Sequence, residues 1–219
     1  MVSFADVKNN EEIKVYIKMA DKAMDALGYT EHSFAHVNKT ANLAGRLLRD
    51  MGYDERTVEL GEIAGYLHDI GNVVNRSDHA HSGAMMAFRL LDNLGMDPQE
   101  VATIICAIGN HDEATGFPVN AVAAAVILAD KSDVRRSRVR EREESAFDIH
   151  DRVNYAVVDG SLTLQLEQSA FILNLTIDTE ICPVMDYFEI FLERMLLCRR
   201  AADFFSLNFG LVINEQKLL

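Results

Sequence analysis

The sequence predicts a mainly α fold, a helical core followed by a small C-terminal α+β unit. Three observations carry that expectation. Apolar residues recur at helical spacing through the first 150 positions, capping residues and glycines divide them into five or six segments, and the period changes to two after Arg152. A chain of 219 residues can bury one good core or one domain with a small appendage. Its 49% apolar and 25% charged residues are those of a soluble globular protein.

The helices can be taken in order. Asn10 is an N-cap ahead of Glu11 and Glu12, and Ile13, Ile17, Ala20, Met24 and Leu27 form a core stripe that ends at Gly28. A second helix is expected from Ser33 to Met51, with Gly52 as its stop. A third begins near Asp54 and closes on "LHDIG". A fourth, "HSGAMMAFRLLDNLG", closes on Gly95. Asp97, Pro98 and Glu100 supply cap, first-turn proline and capping-box acid for a fifth. "NAVAAAVILADKSDVRRSRVREREE" opens a sixth. These helices make one domain over residues 1–150.

Residues 151–219 read as the α+β unit. Leu162, Leu164 and Leu166 alternate with polar residues as in a half-buried strand. "DGS" is a turn signal, which predicts a hairpin of "VNYAVV" and "SLTLQLE". "AFILNLTI" and "SLNFGLVIN" are further strands, and Pro183 opens a helix between them. No Pro/Gly/Ser linker separates the two units.

Several function classes are excluded as expectations. No run of about 18 apolar residues predicts a membrane span, and "MVSFADVKNNEEIK" lacks the basic and apolar order of a signal peptide. Cys106, Cys182 and Cys198 lack C-x-x-C spacing and read as free thiols in a reducing cytoplasm. A net charge of −13 argues against general nucleic-acid binding and leaves room for a local basic site.

The third helix ends strangely. In "IAGYLHDIGN" an apolar stripe runs into His68 and Asp69, although a helix C-terminus repels a carboxylate. Burying that charge alone would cost several kcal/mol, about what an unpaired ion costs. Six of the seven histidines lie between residues 32 and 111, and Asp130 sits in the apolar run "AVAAAVILAD". Imidazole and carboxylate are ligands of first-row metals, so helix ends that converge on one cavity would hold a cation and neutralise Asp69. Taken singly, His36 or His111 reads as an ordinary core or loop histidine; the joint pattern points to metal.

The order "H…HD…H…H…D" over residues 30–135 resembles the HD-domain superfamily of metal-dependent phosphohydrolases. "AGYLHDIGN" resembles its hallmark segment, "HVNKTANLAGRLLRDMG" its first helix, and "VILADKSD" the segment of its last aspartate. "HSGAMMAFRLL" and "AIGNHDE" are similar to the subset with two further histidines. The resemblance implies an HD-domain helical core in which His36, His68, Asp69 and Asp130 hold one metal. It implies that His81 and His111 complete a second site bridged by Asp69, with His68 and Asp69 catalytic. Two positions depart from the family: Asn72 replaces a frequent lysine, and Asn110–His111 replaces a histidine pair. His32, four residues before His36 and assigned to the same helical face, is read as an additional ligand or a supporting residue. His79 is read as structural or solvent-facing, its two-residue offset from His81 leaving open an exchange of the two; His150 receives no role.

A nitrogen-rich site suits manganese, iron, cobalt, nickel or zinc, one or two ions per chain. Such a metal would activate water as nucleophile, and the sequence has no G-x-S-x-G or Walker-type loop. The phosphate of a small substrate, a nucleotide or similar ester, could meet Lys131 and Arg135, which with Arg138 are expected on one helical face, or Arg76. Arg140 and Arg142 read as a solvated face paired with Glu141, Glu143 and Glu144. The ligand order also resembles di-iron oxygenases of the myo-inositol oxygenase type, and a non-catalytic nucleotide-sensing metal protein is a third reading. The alternation in "LTLQLE" would offer an edge for a homodimer.

Overall fold

The computed structural model describes residues 1–140 and 147–219. The helical part comprises α1 (Phe4–Asn9), α2 (Glu11–Ala26), α3 (Phe34–Asp50), α4 (Glu55–Leu67), α5 (His79–Asn93), α6 (Pro98–Gly109) and α7 (Ala121–Lys131). The caps are those the sequence marks: Asn10, Ser33, Asp54, Asp97 and Asn120 each accept a backbone N–H of the first turn. Leu27, assigned to the core, is exposed, because α2 ends one residue earlier. Glu100 bonds to Arg56.

α7 lies at the centre. Every residue from Val122 to Lys131 is buried, which is what a helix apolar on all sides requires. Around it, α3 and α4 approach closely because small residues face each other. A Cβ on Gly65 would stand 2.9 Å from the Ala41 Cα. That contact brings His36, in the first turn of α3, against His68, the C-cap of α4. A 3₁₀ turn, Ile70–Val73, then presses on the start of α5; a Cβ on Gly71 would collide with the His79 carbonyl and the Gly83 backbone. Only glycine permits this approach.

The C-terminal unit follows as α8 (Ile149–Ala156), β1 (Val157–Gln165), β2 (Ala170–Ile177), α9 (Val184–Phe204), β3 (Asn208–Ile213) and β4 (Gln216–Lys217). The sheet order is β1-β2-β3-β4, with β2 and β3 parallel across α9 and the outer pairs antiparallel. α9 packs on α7, and Arg46 of α3 donates to the Leu162 carbonyl of β1 at 3.2 Å.

Three expectations change. "VNYA" is the end of α8 and "DGS" lies inside β1, where an irregularity between Val157 and Asp159 absorbs it. The hairpin instead joins β1 to β2 through the 3₁₀ turn Leu166–Gln168 and Ser169 in the left-handed region. The sixth helix stops at Lys131 with Ser132 as C-cap, so Lys131, Arg135 and Arg138 share no helical face. The division expected at 150/151 falls inside α8. Glu141, Arg142, Glu143 and Glu144 lie outside the described residues. Among the described residues, no helix is long and apolar enough to cross a membrane.

Candidate metal centre

Four imidazoles and two carboxylates meet where α3, α4, α5, α6 and α7 end or begin. His36 Nε2 stands 3.2 Å from His68 Nε2, and His79 Nε2 stands 3.2 Å from His111 Nε2. Asp69 lies between the pairs. Its Oδ2 is 3.4 Å from His36 and 3.2 Å from His68, and its Oδ1 is 3.6 Å from His79 and 3.9 Å from His111. Asp130 Oδ1 closes the first pair at 3.3 Å from His36 and 3.6 Å from His68. The six side chains are buried.

The opposite ring nitrogens show how this cluster can be satisfied. Nδ1 of His68, His79 and His111 donates to the carbonyls of Gly65, Arg76 and Ile108, at 2.8, 3.1 and 2.6 Å. His36 Nδ1 donates to Asp133 at 2.8 Å. In the neutral imidazole a proton on Nδ1 leaves Nε2 as an acceptor. Each pair therefore sets two lone pairs at each other inside a buried site. Either a proton or a cation must lie there, and N–H groups held from behind by carbonyl or carboxylate are the usual support of histidine ligands. His36, His68 and Asp130, and likewise His68, Asp69 and His111, place ligand atoms within 4.8 Å of one another. This donor set fits a first-row divalent metal.

The charges agree. Burial alone would depress the His68 imidazolium, but Asp69 and Asp130 override it and lift the group to about 10. His36 rises too, its bonds to Asp130, Asp133 and Asp69 outweighing burial and Arg138. Burial raises the carboxyls of Asp69 and Asp130, yet His68, together with Lys131 in the case of Asp130, holds both well below the ordinary range. Burial depresses His79 and, further, His111 and His32, so these rings are neutral.

The structure brings together His36, His68, Asp69, His111 and Asp130. It places His81 elsewhere. The His81 side chain is 57% exposed and bonds to Asp78, while His79 faces the cluster. The phase of α5 explains the exchange: His79, Gly83, Ala87 and Leu90 form its buried stripe, whereas His81 lies on the exposed side with Met85 and Phe88. His111, with Nε2 in the cluster, is the inward member of its pair; Asn110 donates to the Cys106 carbonyl. Asn72 donates to Asp69 Oδ1 at 2.9 Å, orienting the shared carboxylate. His32 precedes α3 and is not on its face. Its Nδ1 donates to Thr30 and its ring lies 5.8 Å from that of His36.

The basic residues divide. Lys131 is buried, 2.7 Å from Asp130 Oδ2 and 3.2 Å from Glu113. Arg135 is turned to Asp133 and Glu31. Arg76 Nη1 donates to Asn72 at 3.3 Å and lies 3.4 Å from His79 Nε2. Sequence reasoning missed Asp133, which takes His36, Lys39 at 2.7 Å and Arg135, and it missed Glu113 and Arg194, which meet at 2.7 Å. The spacing of "ADKSD", two acids around a lysine in an apolar context, was the one available signal for Asp133.

Comparison with known proteins agrees with this geometry. The HD domain family matches residues 33–153. An uncharacterized protein of Methanocaldococcus jannaschii is 26% identical over 171 residues, 67% of this chain and 65% of that protein. Ribonuclease Y of Opitutus terrae is 28% identical over 134 residues, 60% of this chain and 23% of that protein. Ribonuclease Y of Campylobacter concisus is 30% identical over 128 residues, 57% and 23% of the two chains. The alignments thus span just under two thirds of the first relative and under a quarter of these two ribonucleases. With more than half of its length matched, this chain belongs to the HD domain family, and its His/Asp cluster is one that could hold a metal ion.

Proposed function

We propose that this chain is a metal-dependent phosphohydrolase that cleaves a small phosphate ester, a nucleotide or similar molecule, with metal-activated water. The observation that carries this reading is the double-sided Asp69, one oxygen toward His36 and His68 and the other toward His79 and His111. His36, His68, Asp69 and Asp130 would hold one ion, and His79 and His111, with Asp69, would hold a second. Manganese, iron, cobalt, nickel or zinc suits these donors. A divalent transition metal bound there would supply an activated water and a Lewis acid for a phosphoryl oxygen.

The chain's own groups do the rest. Asp133 holds His36 in the tautomer that presents Nε2 inward, and Asn72 fixes the rotation of Asp69. Lys131 draws Asp130 Oδ2 outward and leaves Oδ1 for the cluster. Arg76, beside His79, is placed to donate to a phosphoryl oxygen.

The oxygenase alternative shares the donors and differs in consuming oxygen. The Opitutus terrae and Campylobacter concisus relatives are named Ribonuclease Y, so the test includes RNA. Protein purified without chelator is assayed with manganese against phosphomonoesters and an RNA oligomer, with oxygen uptake in parallel. Phosphate release without oxygen consumption is expected. Oxygen consumption with bound iron and no phosphate release contradicts the proposal.

A further inference from the structure

Beside the metal centre lies a cavity of about 220 Å³ whose walls come from both parts of the chain. The helical part contributes Tyr29, His32, Arg76 and Arg138, and the C-terminal unit contributes Asn154, Phe191 and Arg194. Each wall is close to the cluster. The His32 ring meets that of His36, Arg76 reaches His79, and Glu113, also in the wall, bonds to the Lys131 that holds Asp130.

Three guanidinium groups around so small a space are conspicuous in a chain of net charge −13. The wall also holds three carboxylates. Glu113 is shared by Lys131 and Arg194, Asp148 accepts the Asp151 N–H as the cap of α8, and the Asp151 side chain is itself buried. The arginines retain donors. Among the described residues, Arg194 donates through Nε alone, at 2.7 Å to Glu113, while its guanidinium lies 4.3 Å over the Phe191 ring. Arg138 is buried and uses Nε and Nη1 on the carbonyls of Glu31 and Asp133, both at 3.0 Å. Arg76 uses Nη1. Each guanidinium has five N–H donors in a fixed fork suited to carboxylate or phosphate. The aromatic faces of Tyr29 and Phe191 hold Arg76 and Arg194 in place, so these donors are fixed before a ligand arrives.

We infer that this cavity is an anion-binding subsite in which Arg76, Arg138 and Arg194 receive the phosphoryl group of a compact ligand, with the C-terminal unit supplying Arg194. The inference rests on the hydrolase reading only for the subsite's use in turnover. Its ligand is a small phosphorylated molecule, because the volume is below the roughly 300 Å³ at which drug-sized pockets begin. The unit after the HD match thus contributes Arg194 to the subsite.

The test titrates inorganic phosphate into the manganese-loaded full chain by calorimetry, for wild type, Arg194→Gln and Arg194→Lys. Metal content and circular dichroism are measured on each. The expected result is at least a tenfold loss of phosphate affinity in Arg194→Gln, partial recovery in Arg194→Lys, and unchanged metal content. Affinity within twofold of wild type would mean that phosphate sits on the metals alone and would overturn the inference. Should Arg194→Gln fail to fold, Arg76→Gln, on the opposite wall, decides by the same criterion. Phosphate binding that depends on Arg194 in a protein that hydrolyses no ester would contradict the hydrolase and keep the subsite. Hydrolysis with unchanged KM in Arg194→Gln would do the reverse.

Discussion

Asp69 answers to two histidine pairs at once, and substitutions there separate a metal centre from a buried ion-pair cluster. Asp69→Ala removes the shared carboxylate; bound metal and activity should fall together, while circular dichroism shows a folded chain. Asp133→Asn keeps size and weakens the hold on His36. Such supporting partners are worth about 10- to 100-fold in metal affinity, and a competition titration with a chelator should read that loss. The pH dependence follows from His68. Its pKa, lifted to about 10 by Asp69 and Asp130 against the effect of burial, leaves a proton in the metal-free cluster at pH 7. A metal must displace that proton, so affinity rises with pH by about tenfold per unit for each proton released. Titrations between pH 6 and 8 should show that slope, and a flat profile would mean that no proton leaves.

At the scale of elements, two close backbone approaches set the site. Gly65 against Ala41 fixes α3 on α4, and Gly71 against His79 and Gly83 seats the 3₁₀ turn on α5. Gly71→Ala must push backbone aside. Overpacking typically costs about 1–3 kcal/mol, and here it also separates Asp69 from His79. A lowered unfolding midpoint together with lowered metal content is expected, where a surface glycine such as Gly52, with open space around it, should lose no metal. The helices were legible because Asn10, Ser33, Asp54 and Asp97 cap where apolar periodicity begins. The pair His36 and His68 was legible because order along the chain carries it. His79 was not: Met85 and Phe88 make the exposed side of α5 look like core, so the phase of that helix is visible only once Gly83 meets Gly71. The end of α7 was equally hidden, since the charged run after Asp130 has no glycine or proline to mark a stop.

Across the whole molecule, α9 joins the C-terminal unit to the candidate metal centre through Arg194, Glu113, Lys131 and Asp130. That chain of ion pairs is a contact that strand periodicity alone does not announce. The homodimer expected from the β1 edge stays a proposal, which sedimentation at two protein concentrations can test. The most direct measurement is metal content per chain, by mass spectrometry, for wild type, His79→Ala and His81→Ala purified without chelator or a metal-binding tag. Two metals in wild type, fewer in His79→Ala and two in His81→Ala are the predicted values. Metal lost from His81→Ala and kept in His79→Ala, or no metal in any of the three after reconstitution, would contradict a two-ion centre built on Asp69.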